Sequence, residues 1–506
     1  MPIRHYFRAI YFSLLLMVIL ASSSSYAIPA FSRQYQTSCT TCHIDFPKLN
    51  DFGKAFKDAG FKFPKDDESF LKVPPVMLGA PAQKELWPHT VFPGTIPGLP
   101  PIGLRFNTFF QSTSASANNY TPAGSTAGPN VPRTDFEPGL FSIFMAGNFG
   151  SDIAFWVDSD LNVGGSNSSG GLGDGYLKFV NIGRFLKLPT DSLSLRVGQF
   201  ELDLPFSQAR SINLSGWDIY AQANMGFAGT QNVNNVFAIQ DAAQGFEFSG
   251  GHQYGGYHYS VAIVNQNTSG TTSSAPNVSS PVGFFSDANY KDVYARFSYR
   301  FNLEKNPAIR HDIQAAGATG PHDHTYLSLG TFYFGGRSVQ RFDGVDTADN
   351  AAVLTAREPF YRVGGDFSFN YRTFNLFGLF MYGHDNDLLL NSGATGFTPG
   401  PAANFNGGFL QADYLALPWL MTILRYDRVQ STADFQNQAG SANYFSPIGS
   451  TRIRVTPGVQ FLIHANIKAS FEYAIRPQQA LAYDSNGKAI SPFRTNTATG
   501  ALEFVY

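Results

Sequence analysis

The sequence predicts a mainly β chain: an antiparallel transmembrane β-barrel of about 16 strands, preceded by a small N-terminal α-helical domain. Composition is one reason, because hydrophobic residues make up 43% of the 506 residues and charged residues only 14%. Phe, Tyr and Gly are abundant, at 48, 24 and 49 residues, which is typical of a β-rich exported protein. Periodicity is the other reason, because long segments alternate apolar and polar residues and no apolar run after the leader could span a bilayer as a helix.

The first element is a secretory signal peptide, assigned to residues 1–27. A basic start precedes an apolar run from Ile10 to Ala21, and Ser25-Tyr26-Ala27 forms a small-x-Ala cleavage site. A transmembrane anchor is the alternative, but the run is shorter than the roughly 20 residues that span a bilayer. The leader therefore predicts an exported chain.

Both cysteines of the chain lie in one motif, Cys39-Thr40-Thr41-Cys42-His43. A disulfide would close a tiny loop and stabilise little. A thioredoxin-like site would need a βαβ pattern nearby, which the sequence lacks. Covalent haem c needs two thiols at this separation and an imidazole beside the second. The motif therefore predicts one covalent haem c on Cys39 and Cys42, with His43 as proximal iron ligand.

The residues around the motif, 28–73, are assigned to a monohaem cytochrome c domain. In PKLNDFGKAFKDAG, apolar residues recur at helical spacing, with Pro near the start and Gly at the end. This helix is predicted to lay Phe52 and Phe56 either over the porphyrin or on ordinary protein core. Met77 and His89 are the candidate distal ligands, and a weak, absent or distant ligand is the alternative.

The next element, 74–103, is predicted to be an extended tether because its dense prolines disfavour helix and strand. The barrel is assigned to 104–506. In KDVYARFSYRF (291–301), an apolar face alternates with a charged one over about ten residues, the length of a tilted transmembrane strand. Soluble strands average nearer 5–6 residues.

Comparable segments number sixteen, and an even number fits bacterial barrels. They are 104–112, 139–148, 152–160, 173–183, 192–200, 243–251, 256–265, 291–301, 324–334, 360–370, 373–384, 406–415, 418–428, 451–463, 465–476 and 498–506. Very short turns alternate with long loops such as 201–242 and 335–359, although 302–323 is long where a short turn is expected. The N-terminal domain is expected in the wide lumen or beneath it, on the periplasmic side.

These features together resemble the fused outer-membrane c-type cytochrome–porin family, whose members include iron(II) oxidases. The resemblance is carried by IPAFSRQ (28–34), the cysteine motif and FPKLNDFGKAFKDAGF (46–61). Beyond these residues it is one of architecture. It implies haem attachment at Cys39 and Cys42 with the iron on His43, and it leaves the electron donor open.

The leading functional hypothesis is electron transfer across the outer membrane, from extracellular iron(II) by resemblance to a soluble periplasmic cytochrome. Such a protein could act as an iron(II) oxidase. The alternative is a solute porin whose N-terminal cytochrome plugs or gates the channel, because in general porins a loop at the position of 201–242 folds inward. A third hypothesis, a soluble periplasmic enzyme, lacks a nucleophile–base or metal constellation. The net charge of -2 does not indicate a nucleic-acid partner, and outer-membrane lipid is the expected surrounding.

Iron(II) ligands on the barrel are weaker candidates. Carboxylates and imidazoles suit this ion, and solvated loop charge explains them equally well. The candidates are Asp343, Asp346 and Asp349 in a predicted outer loop, His384, Asp385 and Asp387 at a predicted outer rim, and His322 and His324 on the predicted periplasmic side.

Overall fold

A computed structural model describes most of the chain. It covers residues 30–63, 67–87, 94–99, 101–113, 133–150, 152–162, 171–207, 210–221, 243–265, 291–303, 325–343, 353–386, 389–391, 397–399, 402–431, 451–475, 480–483, 489–493 and 496–506. Several predictions lie outside these residues: the signal peptide, the candidate ligand His89, and His322, His324, Asp346, Asp349 and Asp387.

Sixteen antiparallel strands close into one barrel. In chain order, β1 to β16 are Ile102–Thr113, Arg133–Phe149, Ile153–Asn162, Gly171–Phe179, Ser194–Phe200, Ala243–Gly251, Gly256–Val264, Asp292–Asn302, Tyr326–Asp343, Val353–Tyr371, Phe374–Asp385, Ala403–Leu417, Leu420–Ser431, Thr451–His464, Ile467–Ala474 and Thr497–Val505. Each strand pairs with the next along the chain, and β16 pairs with β1, where Phe504 stands opposite Phe106. The predicted sixteen-stranded barrel is confirmed, and every predicted segment overlaps one strand.

The barrel wall is apolar outside and polar inside. Along β8, Val293, Phe297 and Phe301 are 40%, 50% and 46% exposed, whereas the intervening Ser298 and Arg300 are buried. The strand alternation therefore turns the apolar face away from the lumen, the reverse of a water-soluble sheet protein and the pattern of a transmembrane β-barrel. Within the described residues, no helix has the length and apolarity of a membrane-spanning helix.

The two ends of the barrel differ. The end where β1 begins and β16 finishes has short turns such as 150–152 and 465–466, and we call it the turn end; the opposite, loop end carries connections such as 201–242. Short turns are periplasmic in bacterial barrels. The predicted loop 335–359 is wrong in extent, because β9 and β10 stay paired as far as Asp343 and Val353. The predicted irregular segment 302–323 lies largely outside the described residues.

The N-terminal segment lies inside the turn end, and we call residues 30–63 the plug. It contains helix α1 (Ala30–Tyr35), a 3-10 turn (Cys39–Thr41), a strand pair (His43–Asp45 with Lys48–Leu49) and helix α2 (Asp51–Asp58). The helical content is lower than a helical domain implies, because the cysteine turn and Pro47 separate the two helices. The apolar core of the plug is shared with the barrel wall: Phe56 and Phe61 belong to the same buried cluster as Ala154 of β3.

A second segment also fills the lumen. The connection between β5 and β6 folds inward over its described residues, 201–207 and 210–221, the last of which form a short helix (Asp218–Ala221); we call these residues the inward loop. Trp217 of this loop stacks on Phe409 of β12, with ring centroids 4.8 Å apart, and donates from Nε1 to Gln411 Oε1 at 3.1 Å. The inward course expected of a third outer loop is therefore observed.

The remaining short elements lie outside the barrel sheet. The region predicted to be an extended tether contains a short helix over Pro81–Leu86, which proline permits at a first helical position. The others are a helix over Asp67–Phe70, a 3-10 turn over Ile182–Leu186, and the strand pairs Val76–Met77 with Thr95–Ile96, Leu389–Asn391 with Phe397–Pro399, and Ala480–Tyr483 with Ala489–Phe493.

We expect the detergent-extracted protein to migrate faster on a denaturing gel when it is not heated, because a closed barrel keeps all of its strands paired in detergent. Boiling should shift the band to the position of the 55.3 kDa chain or of its processed form. Full solubility in detergent-free buffer with native β structure would contradict an apolar outer wall.

Candidate functional site

Local hydrogen bonds build the cysteine motif. Ser38 caps the 3-10 turn by accepting at Oγ from the Thr40 N–H at 3.3 Å. Asn50 caps α2 by accepting from the Gly53 N–H at 2.8 Å, and its Nδ2 donates to the carbonyl of Thr41 at 3.0 Å. One side chain therefore joins the start of the helix to the motif, which fixes their relative position.

Helix α2 packs directly against the motif through Gly53. A Cβ at this position would lie 2.2 Å from the carbonyl oxygen of Cys42. The same carbonyl accepts from the Asn50 N–H at 2.9 Å. The close approach requires glycine, a requirement that helical periodicity alone does not reveal.

Gly53→Ala is expected to destabilise the plug by about 1–3 kcal/mol, because overpacking against a backbone carbonyl outweighs the gain of about 1 kcal/mol in helix propensity. Limited proteolysis in detergent should then cut the plug faster than in the wild type. Gly103→Ala in β1 is the matched control, since its Cβ would meet nothing nearer than 3.8 Å. Equal cleavage of both variants would contradict the packing described.

The motif opens onto one cavity between the plug, the barrel wall and the inward loop. Its volume is about 660 Å³, within the range of roughly 300–1,000 Å³ that suits small-molecule and cofactor ligands. Cys39, Cys42 and His43 all line it. Aromatic side chains supply much of the remaining surface: Phe46, Phe56 and Phe61 from the plug, and Phe109, Phe144 and Trp156 from the wall.

The motif holds two thiols and a neutral imidazole. Burial raises the pKa of the Cys42 thiol to about 12 and also raises the pKa of Cys39, and neither cysteine is in a disulfide. Burial lowers the pKa of His43 to about 4, so its imidazole is neutral at neutral pH. Its Nδ1 is buried and has no hydrogen-bond partner among the described residues. Two reduced thiols and a neutral, incompletely bonded imidazole around a cofactor-sized cavity fit covalent haem c.

The two phenylalanines of helix α2, Phe52 and Phe56, lie in different surroundings. Phe56 lines the cavity and also packs in the plug core, with its ring 4.9 Å from that of Phe31. Phe52 does not line the cavity and packs edge-on against Phe63 at 5.2 Å. Phe56 therefore faces the cavity onto which the motif opens, and Phe52 belongs to ordinary protein core.

The structure does not bring Met77 to the cavity. Met77 is 36% exposed, in the short strand pair with Thr95 and Ile96, and His89 is outside the described residues. Among the described residues that line the cavity, His43 is the only imidazole and none is methionine. A second iron ligand from this set would have to be of another chemical type.

The candidate iron(II) clusters on the barrel gain no support. Both ring nitrogens of His384 are in contact with amide oxygens, those of Asn404 at 2.5 Å and Asn386 at 3.0 Å. Asp343 and Asp385 end β9 and β11. In the described part of the chain, no group of three His, Cys, Asp or Glu side chains is arranged to hold a metal ion.

Charged contacts that the sequence did not predict hold the plug in the barrel. Asp51 accepts two hydrogen bonds from Arg300 of β8, at 2.6 and 2.7 Å. Lys48 pairs with Asp413 of β12 at 2.7 Å, and Lys468 of β15 donates to the carbonyl of Phe46. The only sequence signal for these partners is that they occupy lumen-facing positions of the strand alternation.

Comparison with known proteins assigns no family. No family model matches the chain, and no curated protein matches it in sequence. The solved structures that it resembles include the outer membrane channel DcaP of Acinetobacter baumannii (11% identity, covering 80% of this chain and 96% of that chain, TM-score 0.44), OprB of Pseudomonas putida (9%, 80% and 94%, 0.44) and OmpF of Salmonella typhi in complex with daunomycin (11%, 80% and 97%, 0.41). At these values the similarity carries no family or function, and the barrel is defined by this chain's own strand pairing.

Proposed function

We propose that this chain is an outer-membrane electron-transfer protein that carries one covalent haem c on Cys39 and Cys42, with His43 as the proximal iron ligand. The observation that carries the proposal is the single cavity of about 660 Å³ onto which both thiols and the imidazole open. Haem bound there would supply one-electron chemistry. In this proposal the site lies inside an apolar wall surrounded by lipid.

The residues around the motif have distinct tasks. Neutral His43 offers a lone pair to the iron, and the aromatic lining, which includes Phe56 and Trp156, excludes water. The plug and the inward loop obstruct the lumen, and Trp217 and Tyr220 of the loop are buried against the wall. An obstructed lumen favours transfer of electrons over passage of solutes.

By resemblance, the electron donor is extracellular iron(II), and the acceptor is a soluble periplasmic cytochrome. Each iron(II) would lose one electron to become iron(III), and the electron would leave to the periplasmic carrier. Oxidation at the outer side would keep insoluble ferric product outside the cell. In this sense the protein would act as an iron(II) oxidase.

A gated solute porin is the second candidate. It is favoured by the inward loop, which narrows the lumen as in general porins, and by the polar character of several plug contacts, such as Asp51 with Arg300. Polar contacts can exchange with water when a plug moves. In this case the haem-bearing plug would regulate a channel.

Vesicles that hold the protein with its loop end outward would separate the two functions. Iron(II) or a bulky, impermeant reductant is added outside, and haem reduction is followed by absorbance. Reduction by both donors is expected for electron transfer across the barrel. Reduction by small permeant donors alone would favour the porin, and no reduction by iron(II) at any workable pH would remove the iron oxidase proposal.

A further inference from the structure

The cavity beside the cysteine motif meets a second, charged cavity. The charged cavity has a volume of about 270 Å³ and lies between the plug, the inward loop and the wall. Lys57 of α2 lines both cavities, and so do Arg210 and Glu201 of the inward loop, which form an ion pair. The apolar space therefore ends at a charged junction, formed by one lysine of the plug and one ion pair of the loop.

Lys57 has no hydrogen bond or ion pair within the described part of the chain, unlike the other cations that line the apolar cavity. Arg210 pairs with Glu201 at 3.1 Å, and Arg105 pairs with Glu503 at 3.0 Å. Lys468 donates to a backbone carbonyl. The unpaired ammonium is also half-buried, so water can compensate its charge only in part.

The charged groups around Lys57 also disfavour its protonated form. Its strongest charged neighbours are Arg210 and Arg196, with Asp58 and Lys178 weaker. Burial and these two guanidinium groups lower the pKa of Lys57 to about 7. Both guanidinium groups have carboxylate partners, Glu247 for Arg196 and Glu201 for Arg210, so Lys57 is the cation that an incoming anion would stabilise.

Helix α2 sets the position of Lys57 relative to the cysteine motif. Gly53 contacts Cys42, and Lys57 follows four residues later on the same helix face, about 6 Å further along the axis. Covalent haem c is held through its vinyl edge and carries two propionate carboxylates at the opposite edge. A haem bonded to the two cysteines would therefore have its propionates directed toward the charged junction.

We propose that Lys57 receives a haem propionate and so positions the cofactor between the plug and the inward loop. This inference rests on the proposed function, because it requires haem on the motif. Lys57 is a positioning residue, and its ammonium would neutralise one carboxylate close to the iron. A nearby positive charge favours the reduced state of the cofactor, so the reduction potential reports the contact.

The test is a redox titration of the haem-loaded, full-length protein in detergent, with Lys57→Gln compared with the wild type. We expect a lower midpoint potential in Lys57→Gln and recovery of most of the shift in Lys57→Arg. The matched control is Lys54→Gln, because Lys54 lies on the same helix but lines only the charged cavity and sits 4.0 Å from Asp51. Haem content and heat-modifiable migration show whether each variant folds.

The outcomes are distinguishable. Equal shifts in Lys57→Gln and Lys54→Gln, or no shift in either, overturn the role of Lys57 while leaving haem attachment intact. A wild-type potential that changes with added phosphate, when that of Lys57→Gln does not, would show that Lys57 binds a solvent anion instead and would overturn the propionate contact. Wild-type protein without covalent haem, from cells with working attachment machinery, overturns the proposed function itself.

Discussion

Loss of covalent haem is the expected result of replacing both Cys39 and Cys42 by alanine. The two thiols are the only cysteines of the chain, and both open onto the same cavity. Without them no thioether can form, so peroxidase staining after denaturing electrophoresis should fall from a clear band to background. Cys39→Ala alone should also lose the stain.

The matched control is Thr41→Ser, which lies between the cysteines and keeps the hydroxyl that contacts Thr37 Oγ1 at 2.7 Å. It should stain like the wild type. Barrel formation should be retained in every variant, because the strands β1 to β16 pair without the motif. An unstained wild-type band from a cell that attaches haem to other proteins would contradict the proposed haem attachment.

Arg300→Gln is expected to loosen the plug and open an ion path through the barrel. The Arg300 side chain is 2% exposed, makes two hydrogen bonds to Asp51 and lies 3.4 Å from the centre of the Tyr326 ring. Removal of one partner from a buried ion pair costs about 3–5 kcal/mol. The population of protein with an undocked plug should therefore rise by a factor on the order of a hundred or more. Planar-bilayer recordings should show conductance steps that the wild type lacks.

Arg296→Gln is the matched control. Arg296 lies on the same strand and also makes two hydrogen bonds to a carboxylate, at 2.9 and 3.1 Å, but that carboxylate is Asp366 of the wall. Its second ionic contact is with Asp203 of the inward loop, at 4.0 Å, and does not involve the plug. It should leave the plug docked and the conductance low. If both variants conduct alike, the Asp51 contact does not hold the plug. Frequent opening of the wild type would instead favour the gated porin.

The barrel could be predicted from the sequence because it depends on a local pattern, and the cysteine motif is recognisable for the same reason. A period of two along β8 and β15 reports which side chains share a face, whatever lies opposite them. The five-residue motif likewise contains both thiols and the imidazole, so their proximity requires no folding at long range. The prediction was wrong where apolar and polar residues alternate less clearly. In 335–359, strand pairing continues into a predicted loop.

The surroundings of the motif were decided by the tertiary structure alone. Asp51 and Arg300 are 249 positions apart, and Lys48 and Asp413 are 365 apart. No period or spacing connects such residues, because barrel closure and the course of the chain through the lumen bring them together. The same holds for the cavity, which needs the plug, the wall and the inward loop at once. The sequence determined which side chains the motif carries, and only the closed barrel decided what faces those side chains.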